Sequence, residues 1–343
     1  MARQTLANKY RPHTFEDVVE QDASVIILQN QIATNTFKNA LLFCGAAGTG
    51  KTTSARIFAK EINKGLGNPI EIDAASNNGI DNIREIIIKS QQKALDCEYK
   101  VFIIDECHAL SNSAWQALLK IIEEPPAKTV FVFCTTDPQK IPKTILSRVI
   151  RFEFQRISFD AVVGRLQHII EKEKLENSTI EVEQGAIEYI AKLADGGMRD
   201  AISMLDKCLS LDEKVTLEKA VSVLGGVNYE TMFDLFIHIV NCEEEQTIQI
   251  IEEIYKQGKD LKLFIKQFTL FILDVCKYQI FNDYKYIQIP PIFDEKLQRV
   301  VKIDKNLLKD ILGKVNELNS SLKWETAVKP IIELQLLMLC KED

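Results

Sequence analysis

The residues best suited to chemistry lie in the stretch "GAAGTGKT", residues 45–52. It matches the pattern G-x-x-x-x-G-K-[ST], whose glycines let successive backbone N–H groups approach a phosphate closely. It follows the apolar run "ALLFC" (40–44) and opens a helical pattern, which is the context that this loop requires. We expect Lys51 to reach the β- and γ-phosphates of a nucleotide and the Thr52 hydroxyl to ligate Mg²⁺. The predicted phosphate site comprises Gly45, Ala46, Ala47, Gly48, Thr49, Gly50, Lys51, Thr52 and Thr53.

Two carboxylates, Asp105 and Glu106, follow the apolar residues of "VFIIDECH" (101–108) and are the second set of candidates. The apolar residues predict a buried strand, and ligands of open α/β sheets bind at the carboxyl ends of the strands. Asp105 suits Mg²⁺, held through the water shell of the metal, and Glu106 suits the polarisation of an attacking water. An apolar run followed by acids is common alone, but beside a phosphate loop it predicts hydrolysis as well as binding. For His108 we expect a structural or coupling role.

Two hydroxyls, those of Thr135 and Thr136, follow the apolar residues of "VFVFCTTD" (130–137). At the same edge of a sheet, either hydroxyl could hold the attacking water or the terminal phosphate. A strand-ending turn at Asp137-Pro138 explains these residues equally well. The residues alone leave both interpretations open.

Short apolar or aromatic runs alternate with helical patterns between residues 40 and 154. Several runs are apolar throughout, as expected for strands buried on both faces of a parallel sheet. The helices between them include "SAWQALLKIIEE", which ends at Pro125-Pro126. This alternation predicts a doubly wound α/β layer. Its five predicted strands are 40–44, 69–73, 100–104, 129–135 and 149–154.

Beyond about residue 155 the pattern becomes helical, and we expect the strands to stop there. Residues 158–225 predict three or four amphipathic helices, with "DGG" (195–197) as a break. Residues 228–343 again repeat apolar positions at helical spacing, interrupted by a loop at 283–295. The second half is therefore predicted to be all-α.

The formal charge of the 343-residue chain, −7, is unevenly distributed. The first 150 residues hold 17 basic and 16 acidic side chains, whereas the remainder holds 25 and 33. The total charge therefore does not indicate nucleic-acid binding, and any such contact requires a local basic face in the first part. The length predicts two or three domains.

The eight cysteines are scattered without a C-x-x-C pair, which predicts buried reduced thiols rather than zinc ligands or disulfides. The N-terminal residues lack an apolar signal core, and no apolar run approaches the ~20 residues of a membrane span. We therefore expect a cytoplasmic protein that makes no membrane contact.

Several segments occur in the order of one known family. Over residues 5–210 the chain resembles the AAA+ clamp-loader ATPases, and among them the gamma/tau subunits of bacterial DNA polymerase III. The resemblance implies an AAA+ P-loop domain with a five-stranded parallel sheet (1–155), a helical lid (156–226) and a helical collar for oligomerisation (227–343). The segments are "KYRPHTFEDVVEQ", "GAAGTGKT", "EIDAASNNGIDNIREI", "DECHALSNSAWQALLKIIEEPP", "TTDPQKIPKTILSRV" and "GGMRDAISMLD".

The resemblance also implies roles for individual residues. Thr136 corresponds to the polar sensor on the fourth strand. Arg199, in "GGMRDA", would reach back from the lid to the phosphates bound by its own chain. On the adenine side, the resemblance implies Tyr10, Arg11, Pro12 and Val19.

Arg148, in "SRV", corresponds to the arginine finger of the family. In that role it would stabilise the transition state at a neighbouring subunit's ATP, in trans, and would thereby couple hydrolysis to assembly. Apart from the resemblance, a solvated surface arginine also explains this residue.

Three features depart from the family pattern. The family usually carries a four-cysteine zinc module after the first helix, but here "KGLGN" (64–68) bridges the gap, so no zinc is expected. Glu20 stands where a glycine is usual, in the segment beside the expected adenine site. Val149 replaces the cysteine of the S-R-C triplet, while the arginine remains.

The resemblance implies an ATPase that uses ATP and Mg²⁺ to open a ring-shaped sliding clamp and place it on primer-template DNA. The partners would be the other clamp-loader subunits of a hetero-oligomer of five, the clamp and DNA. The helix around 112–123 would contact the clamp, and DNA would be bound through its phosphates. Two alternatives are an AAA+ motor on branched DNA and a scaffold subunit that binds ATP without hydrolysing it. The motor would need a winged-helix domain after the lid, and the scaffold would have no physical need for Lys51, Thr52, Asp105 and Glu106 together.

Overall fold

A computed structural model describes residues 4–94, 96–224, 229–322, 325 and 327–340. The chain forms two compact units. The first unit contains the residues up to Ile169 together with Leu193–Asp206. The second contains Ile170–Lys192 and the residues from Lys207 onward.

A five-stranded parallel sheet forms the centre of the first unit, with strand order β2-β3-β4-β1-β5. All five predicted strands are present, which confirms the mixed α/β prediction. Because every strand is parallel, all their carboxyl ends lie along one edge. The strands are β1 (Ala40–Gly45), β2 (Ile70–Asp73), β3 (Lys100–Asp105), β4 (Thr129–Thr135) and β5 (Ile150–Phe154).

Apolar side chains on both faces bury the sheet. Phe102 and Phe131, on adjacent strands, stack with ring centroids 5.2 Å apart, and each full burial of such a side chain contributes roughly 1.5–3 kcal/mol. That face packs against α4 (Ile80–Gln91) and α5 (Asn112–Glu123). The opposite face packs against α2 (Asp22–Ala33) and α3 (Lys51–Ile62). The sheet is thus fixed between two helical layers, as the continuous apolar runs require.

Helical segments precede the sheet and follow it. Short helices α1 (Leu6–Lys9) and α6 (Lys143–Leu146) also belong to the first unit, as does the start of α7. The break at "DGG" separates α8 from α9, as predicted. The further helices are α7 (Phe159–Glu176), α8 (Gln184–Ala194), α9 (Met198–Leu211), α10 (Leu217–Val223), α11 (Tyr229–Val240), α12 (Glu244–Lys256), α13 (Leu261–Phe281), α14 (Asp294–Val300), α15 (Lys305–Ser321) and α16 (Val328–Leu339).

The expectation that strands stop near residue 155 is wrong in one detail. Two short strands, β6 (Glu181–Val182) and β7 (Lys214–Val215), pair in parallel in the second unit. Two-residue strands show no periodicity, so the sequence pattern carried no signal for them. The predicted loop at 283–295 also contains single 3₁₀ turns at Tyr284–Tyr286 and Pro291–Phe293.

Helices α11 to α16 enclose an apolar core of their own in the second unit. Phe233, Phe268 and Phe271 are fully or almost fully buried there, and Phe233 meets Phe271 edge-on at 4.8 Å. After Val215, every regular element among the described residues is helical. No described helix is long and apolar enough to span a bilayer. The division into three domains stays a prediction, and its boundary at 226 lies outside the described residues.

A glycine substitution tests how tightly the phosphate loop is fixed to the sheet. A Cβ at Gly45 would lie 2.2 Å from the carbonyl oxygen of Phe154, so Gly45→Ala must displace β5. We expect this overpacking to lower the free energy of unfolding by about 3 kcal/mol. Urea denaturation of the full chain, followed by circular dichroism, measures the change.

Gly164→Ala is the matched control for this substitution. Gly164 lies inside helix α7 with nothing within 4 Å of an added Cβ, so alanine there should stabilise by roughly 0.5–1 kcal/mol. Equal stability of the two variants would contradict the packing described for Gly45.

Candidate functional site

A cavity of about 560 Å³ opens within the first unit at the carboxyl edge of the sheet. Its walls come from the N-terminal segment, the loop after β1, the ends of β2 and β3, and the first turn of α9. Most residues predicted to bind nucleotide line this cavity. They are Tyr10, Arg11, Pro12, Val19, Ala47, Gly48, Thr49, Gly50, Lys51, Thr52, Thr53, Asp105, Glu106 and Arg199.

The loop between β1 and α3 adopts a conformation that requires glycine. Gly48 and Gly50 have φ of +72° and +99°, which side-chain-bearing residues rarely adopt. A Cβ on Gly48 would also lie 3.0 Å from Cα of Gly197. The loop therefore presents its backbone to the cavity, and α3 begins directly behind it with N–H groups suited to an anion.

Lys51 lies in the first turn of α3 and is largely buried. Its Nζ donates to the carbonyl oxygens of Gly45, at 2.9 Å, and Ala46, at 2.8 Å. Burial lowers the pKa of Lys51, an effect that the charges of Glu106 and Asp105 oppose. Neutral carbonyls are weaker acceptors than phosphate oxygens, so an anionic ligand is the preferred partner of this ammonium group. Gly45 and Ala46 thus act through Lys51 rather than as cavity walls.

A hydrogen bond of 2.7 Å runs from the Thr52 hydroxyl to Oδ2 of Asp105. It joins the start of α3 to the end of β3. The backbone N–H of Glu106 donates to the other carboxylate oxygen of Asp105 at 3.0 Å. A hydroxyl and a carboxylate at this spacing are the hard oxygen ligands that Mg²⁺ prefers, and the metal usually retains water between itself and the protein. The residues present therefore fit a Mg²⁺–nucleotide complex.

Glu106 projects away from this Thr52–Asp105 pair. Its backbone is left-handed, with φ of +46°, and its Oε2 accepts from the Thr136 hydroxyl at 3.0 Å. The two adjacent carboxylates thus bind hydroxyls on different elements. Thr136 does not line the cavity, but it contacts the side chain that does.

The segment that leads into α9 closes one side of the cavity. The backbone N–H of Met198 donates to the carbonyl of Gly48 at 3.0 Å, and Arg199 follows at the wall. Arg199 is therefore adjacent to the phosphate loop although the two are far apart in the sequence. Here the structure brings together the two motifs that the sequence predicted to meet.

Arg165, on α7, is a cavity residue that sequence reasoning missed. Its Nη2 donates to the carbonyl oxygen of Tyr10 at 3.0 Å and so fixes the N-terminal segment. No local motif marks an arginine 155 residues from its partner. The other missed lining residues are Ala7, Val18, Arg56, Glu71, Ile72, Asp73, Ile157, Met198, Asp200 and Ile202.

The sequence pattern could have indicated that the carboxylates of β2 belong to the site. Asp73 pairs in register with Asp105, so parallel pairing of these strands brings both acids to the same edge. Glu71, two residues earlier, accepts from Nη2 of Arg56 on α3 at 2.5 Å. Arg56 and Glu71 thereby form a wall at the side of the cavity.

Arg148 does not line the cavity of its own chain. Its Nε donates to Oε1 of Glu123, at the end of α5, at 2.6 Å. Its Nη1 donates to the carbonyl of Thr144 at 2.6 Å and to Oγ of Ser147 at 3.0 Å. The guanidinium group is partly exposed, with 37% of the side chain accessible.

The unusual residue Glu20 has φ of +57°, a conformation that favours glycine. Its carboxylate accepts from the backbone N–H of Ser158 at 2.8 Å and from the Ser158 hydroxyl at 2.5 Å. These bonds attach the N-terminal segment to the start of α7. The side chain thus offsets part of the conformational cost with contacts that glycine cannot make.

The short bridge at 64–68 contains two glycines with positive φ, Gly65 and Gly67. No group of three or more histidine, cysteine or acidic side chains able to hold a metal occurs within the described ranges. The expected absence of zinc stays a prediction.

Comparison with known proteins identifies the family. Three family models match in succession: "DNA polymerase III, delta subunit" over residues 70–158, "DNA polymerase III clamp loader subunit, ATPase lid domain" over 161–211, and "DNA polymerase III subunits gamma and tau domain III" over 215–314. The DNA polymerase III gamma subunit of Buchnera aphidicola is 30% identical over 364 residues, which cover 98% of each chain. The chain belongs to the gamma/tau family of DNA polymerase III clamp-loader subunits.

Longer members of the gamma/tau family match as well. The tau subunit of Bacillus subtilis is 36% identical over 99% of this chain, and that of Escherichia coli is 33% identical over 75%. The chain spans 64% and 43% of the length of these two relatives.

The fold is shared with solved structures of more distant proteins. The RuvB Holliday junction branch migration motor of Thermotoga maritima aligns with a TM-score of 0.51 at 20% identity. The alignment covers 67% of this chain and 79% of that structure. The likeness concerns the fold alone.

Arg165→Met tests the role of the residue that the sequence did not reveal. It removes a charged donor from the Tyr10 carbonyl, so the N-terminal wall should loosen and affinity for a fluorescent ATP analogue should fall roughly 10-fold. Titration of the full chain, followed by fluorescence anisotropy, measures the change.

His168→Met, at an exposed position one turn further along α7, is the control and should bind as the original chain does. Unchanged affinity in Arg165→Met would show that the Tyr10 segment needs no support from α7.

Proposed function

We propose that this chain is the ATP-hydrolysing subunit of a DNA sliding-clamp loader. It uses ATP to open a ring clamp and place it on primer-template DNA during replication. One observation carries the proposal: a single cavity brings Lys51, Thr52, Asp105, Glu106 and Arg199 together in a chain of the gamma/tau family.

Binding of ATP is assigned to the two ends of the cavity. Tyr10, Arg11, Pro12 and Val19 hold the adenine side, and the loop from Gly45 to Thr53 holds the phosphates. Lys51 and Arg199 place positive charge beside the phosphates. Thr52 and Asp105 would hold Mg²⁺, Asp105 through water, and the metal would supply positive charge beside the phosphate oxygens.

Hydrolysis is assigned to Glu106 and its partners. Its carboxylate orients a water for attack on the γ-phosphate and accepts the proton that this water loses as its oxygen bonds to phosphorus. The Thr136 hydroxyl donates to this carboxylate and limits its rotation. Binding and hydrolysis therefore use different faces of the same dipeptide, Asp105-Glu106.

Arg148 is proposed to act on the ATP of a neighbouring subunit. It lies outside its own cavity, and the Glu123 carboxylate neutralises it in the single chain. An arginine placed against the γ-phosphate from another subunit stabilises transition-state charge and makes turnover dependent on assembly. Formation of the complex would exchange Glu123 for phosphate as the partner of the guanidinium group.

The assembly follows from the family. The chain would join other clamp-loader subunits in a hetero-oligomer of five, through a C-terminal collar, with the domains divided at residues 155 and 226. Helix α5 would contact the clamp, and DNA would be held through its phosphates, with the strong salt dependence of such contacts. Replication of this kind places the protein in the cytoplasm.

The branched-DNA motor has less support. Its winged-helix domain requires strands after the lid, whereas the described residues beyond Val215 form helices. The hydrolytic residues alone do not distinguish an ATPase from a scaffold subunit that binds ATP without hydrolysing it. A measurement of ATP turnover distinguishes the two.

The arginine finger is tested by Arg148→Ala. We expect ATP turnover stimulated by primed DNA and clamp to fall about 10³-fold or more, while ATP affinity stays nearly unchanged. Turnover is measured by phosphate release from the chain assembled with its clamp-loader partners.

Arg151→Ala is the control, because Arg151 is also partly exposed, three residues away, and pairs with Glu153 on its own strand. Stimulated turnover that is indifferent to Arg148 would remove the trans-acting role.

Glu106→Gln separates hydrolysis from binding. The amide keeps the size of the side chain and its contact with Thr136 but cannot accept a proton, so kcat should fall by about 10² or more. Binding of ATP by the same variant should be retained. If wild-type and variant complexes released phosphate equally slowly under stimulating conditions, the scaffold interpretation would replace the enzyme.

A further inference from the structure

The imidazole of His108 contacts two oxygen atoms that belong to different parts of the site. Its Nδ1 lies 3.2 Å from Oε2 of Glu106 and 3.1 Å from Oγ1 of Thr135. His108 lies in the single 3₁₀ turn Cys107–Ala109 that follows β3. His108 itself does not line the cavity, and of its two partners only Glu106 does.

Thr135 connects the imidazole to the sheet. This last residue of β4 is fully buried, and its Oγ1 accepts from the backbone N–H of Asp137 at 3.0 Å. A buried threonine with its hydroxyl held by the main chain is a fixed point. The contact with Thr135 therefore restricts where the His108 ring can lie.

The partners of Nδ1 indicate its protonation. A carboxylate oxygen only accepts hydrogen bonds, so an unprotonated Nδ1 at 3.2 Å would set two lone pairs against each other. With the proton on Nδ1, the ring donates to the Thr135 hydroxyl and places this N–H beside the Glu106 carboxylate, with Nδ1 3.2 Å from Oε2. The Nδ1–H tautomer is assigned on this ground.

Two polar groups thus lie beside the same oxygen of Glu106. Oε2 accepts from the Thr136 hydroxyl at 3.0 Å and lies 3.2 Å from Nδ1 of the His108 ring. A single hydrogen bond leaves a carboxylate free to rotate about it, whereas a second contact, from the end of the adjacent strand, restricts its orientation. Oε1 remains as the oxygen available to a water.

We propose that His108 is a positioning residue for Glu106, and that it orients the carboxylate for attack of water on the γ-phosphate. The proposal rests on the ATP hydrolysis proposed above. His108 exchanges no proton with substrate in this role; it acts through the electrostatic contact of Nδ1 with Oε2 of Glu106 and through its hydrogen bond with Thr135. The histidine of "DECH" therefore contributes to kcat and not to ATP affinity.

Two substitutions test this role in the full chain assembled with its clamp-loader partners, clamp and primed DNA. His108→Leu removes the imidazole at similar volume, and kcat for ATP should fall about 10-fold to 100-fold because the electrostatic contact that orients the Glu106 carboxylate is lost. KM and the affinity for a fluorescent ATP analogue should stay within about twofold. His108→Asn places an amide N–H near the position of Nδ1 and should restore most of kcat.

A structural role would give a different pattern. A packing residue would lower thermal stability or ATP affinity in His108→Leu, and the smaller asparagine would not restore kcat. Either result, or an unchanged kcat in His108→Leu, would overturn the proposal. His168→Leu, at an exposed histidine, is the control and should leave all parameters unchanged.

Glu106→Gln in the same assay distinguishes failure of the His108 role from failure of the proposed hydrolysis. Loss of turnover in Glu106→Gln with normal turnover in His108→Leu would refute the role of His108 and leave the proposed function intact. If the wild-type complex shows no turnover, or Glu106→Gln turns over normally, hydrolysis by Glu106 itself is refuted.

Discussion

The hydrogen bond between Thr52 and Asp105 is the contact on which the candidate site depends. It links the first turn of α3, the helix that follows β1, to the end of β3, and β4 lies between β1 and β3 in the sheet. The bond can form only because the strands are parallel and end along one edge. The same edge carries the end of β4, so the hydroxyls of Thr135 and Thr136 lie within reach of the residues that follow β3. One topological constraint thereby brings the phosphate loop, both carboxylates and both threonines to a single place.

Four basic side chains in or near the site have negative or polar partners within the chain. Lys51 is buried beside two carboxylates, and Arg56 and Arg165 already have partners at the cavity wall. Arg148 is paired with Glu123 outside the cavity. The segment from Thr135 to Arg148 is short and passes through the turn at Asp137 and helix α6, so the residue that contacts His108 and the proposed arginine finger belong to one stretch of chain. Under the proposed function, such a site would bind nucleotide in one subunit and remain slow until a neighbour supplies its arginine.

Much of the site could be predicted because its chemistry is local. The phosphate loop is contiguous and sits between a strand and a helix, and Asp105 and Glu106 end an unbroken apolar run. The all-parallel sheet followed from strands that are apolar on both faces. Arg165 and the ion pair between Arg148 and Glu123 could not be predicted, since side chains distant in sequence meet only once the helices have packed. The short strands β6 and β7 were missed because two residues cannot display a period. His108 was expected to have a structural or coupling role, but its partners depend on where β4 ends relative to β3.

The most direct test is a cryo-electron microscopy structure of the assembled complex with clamp, primed DNA and a slowly hydrolysed ATP analogue with Mg²⁺. We expect the Arg148 guanidinium to have left Glu123 and to lie within hydrogen-bond distance of the γ-phosphate bound by the next subunit. We also expect Thr52 and Asp105 of the subunit that binds this nucleotide to lie beside the metal. A structure in which Arg148 still pairs with Glu123, while another residue contacts the neighbouring phosphate, would contradict the proposed role of Arg148.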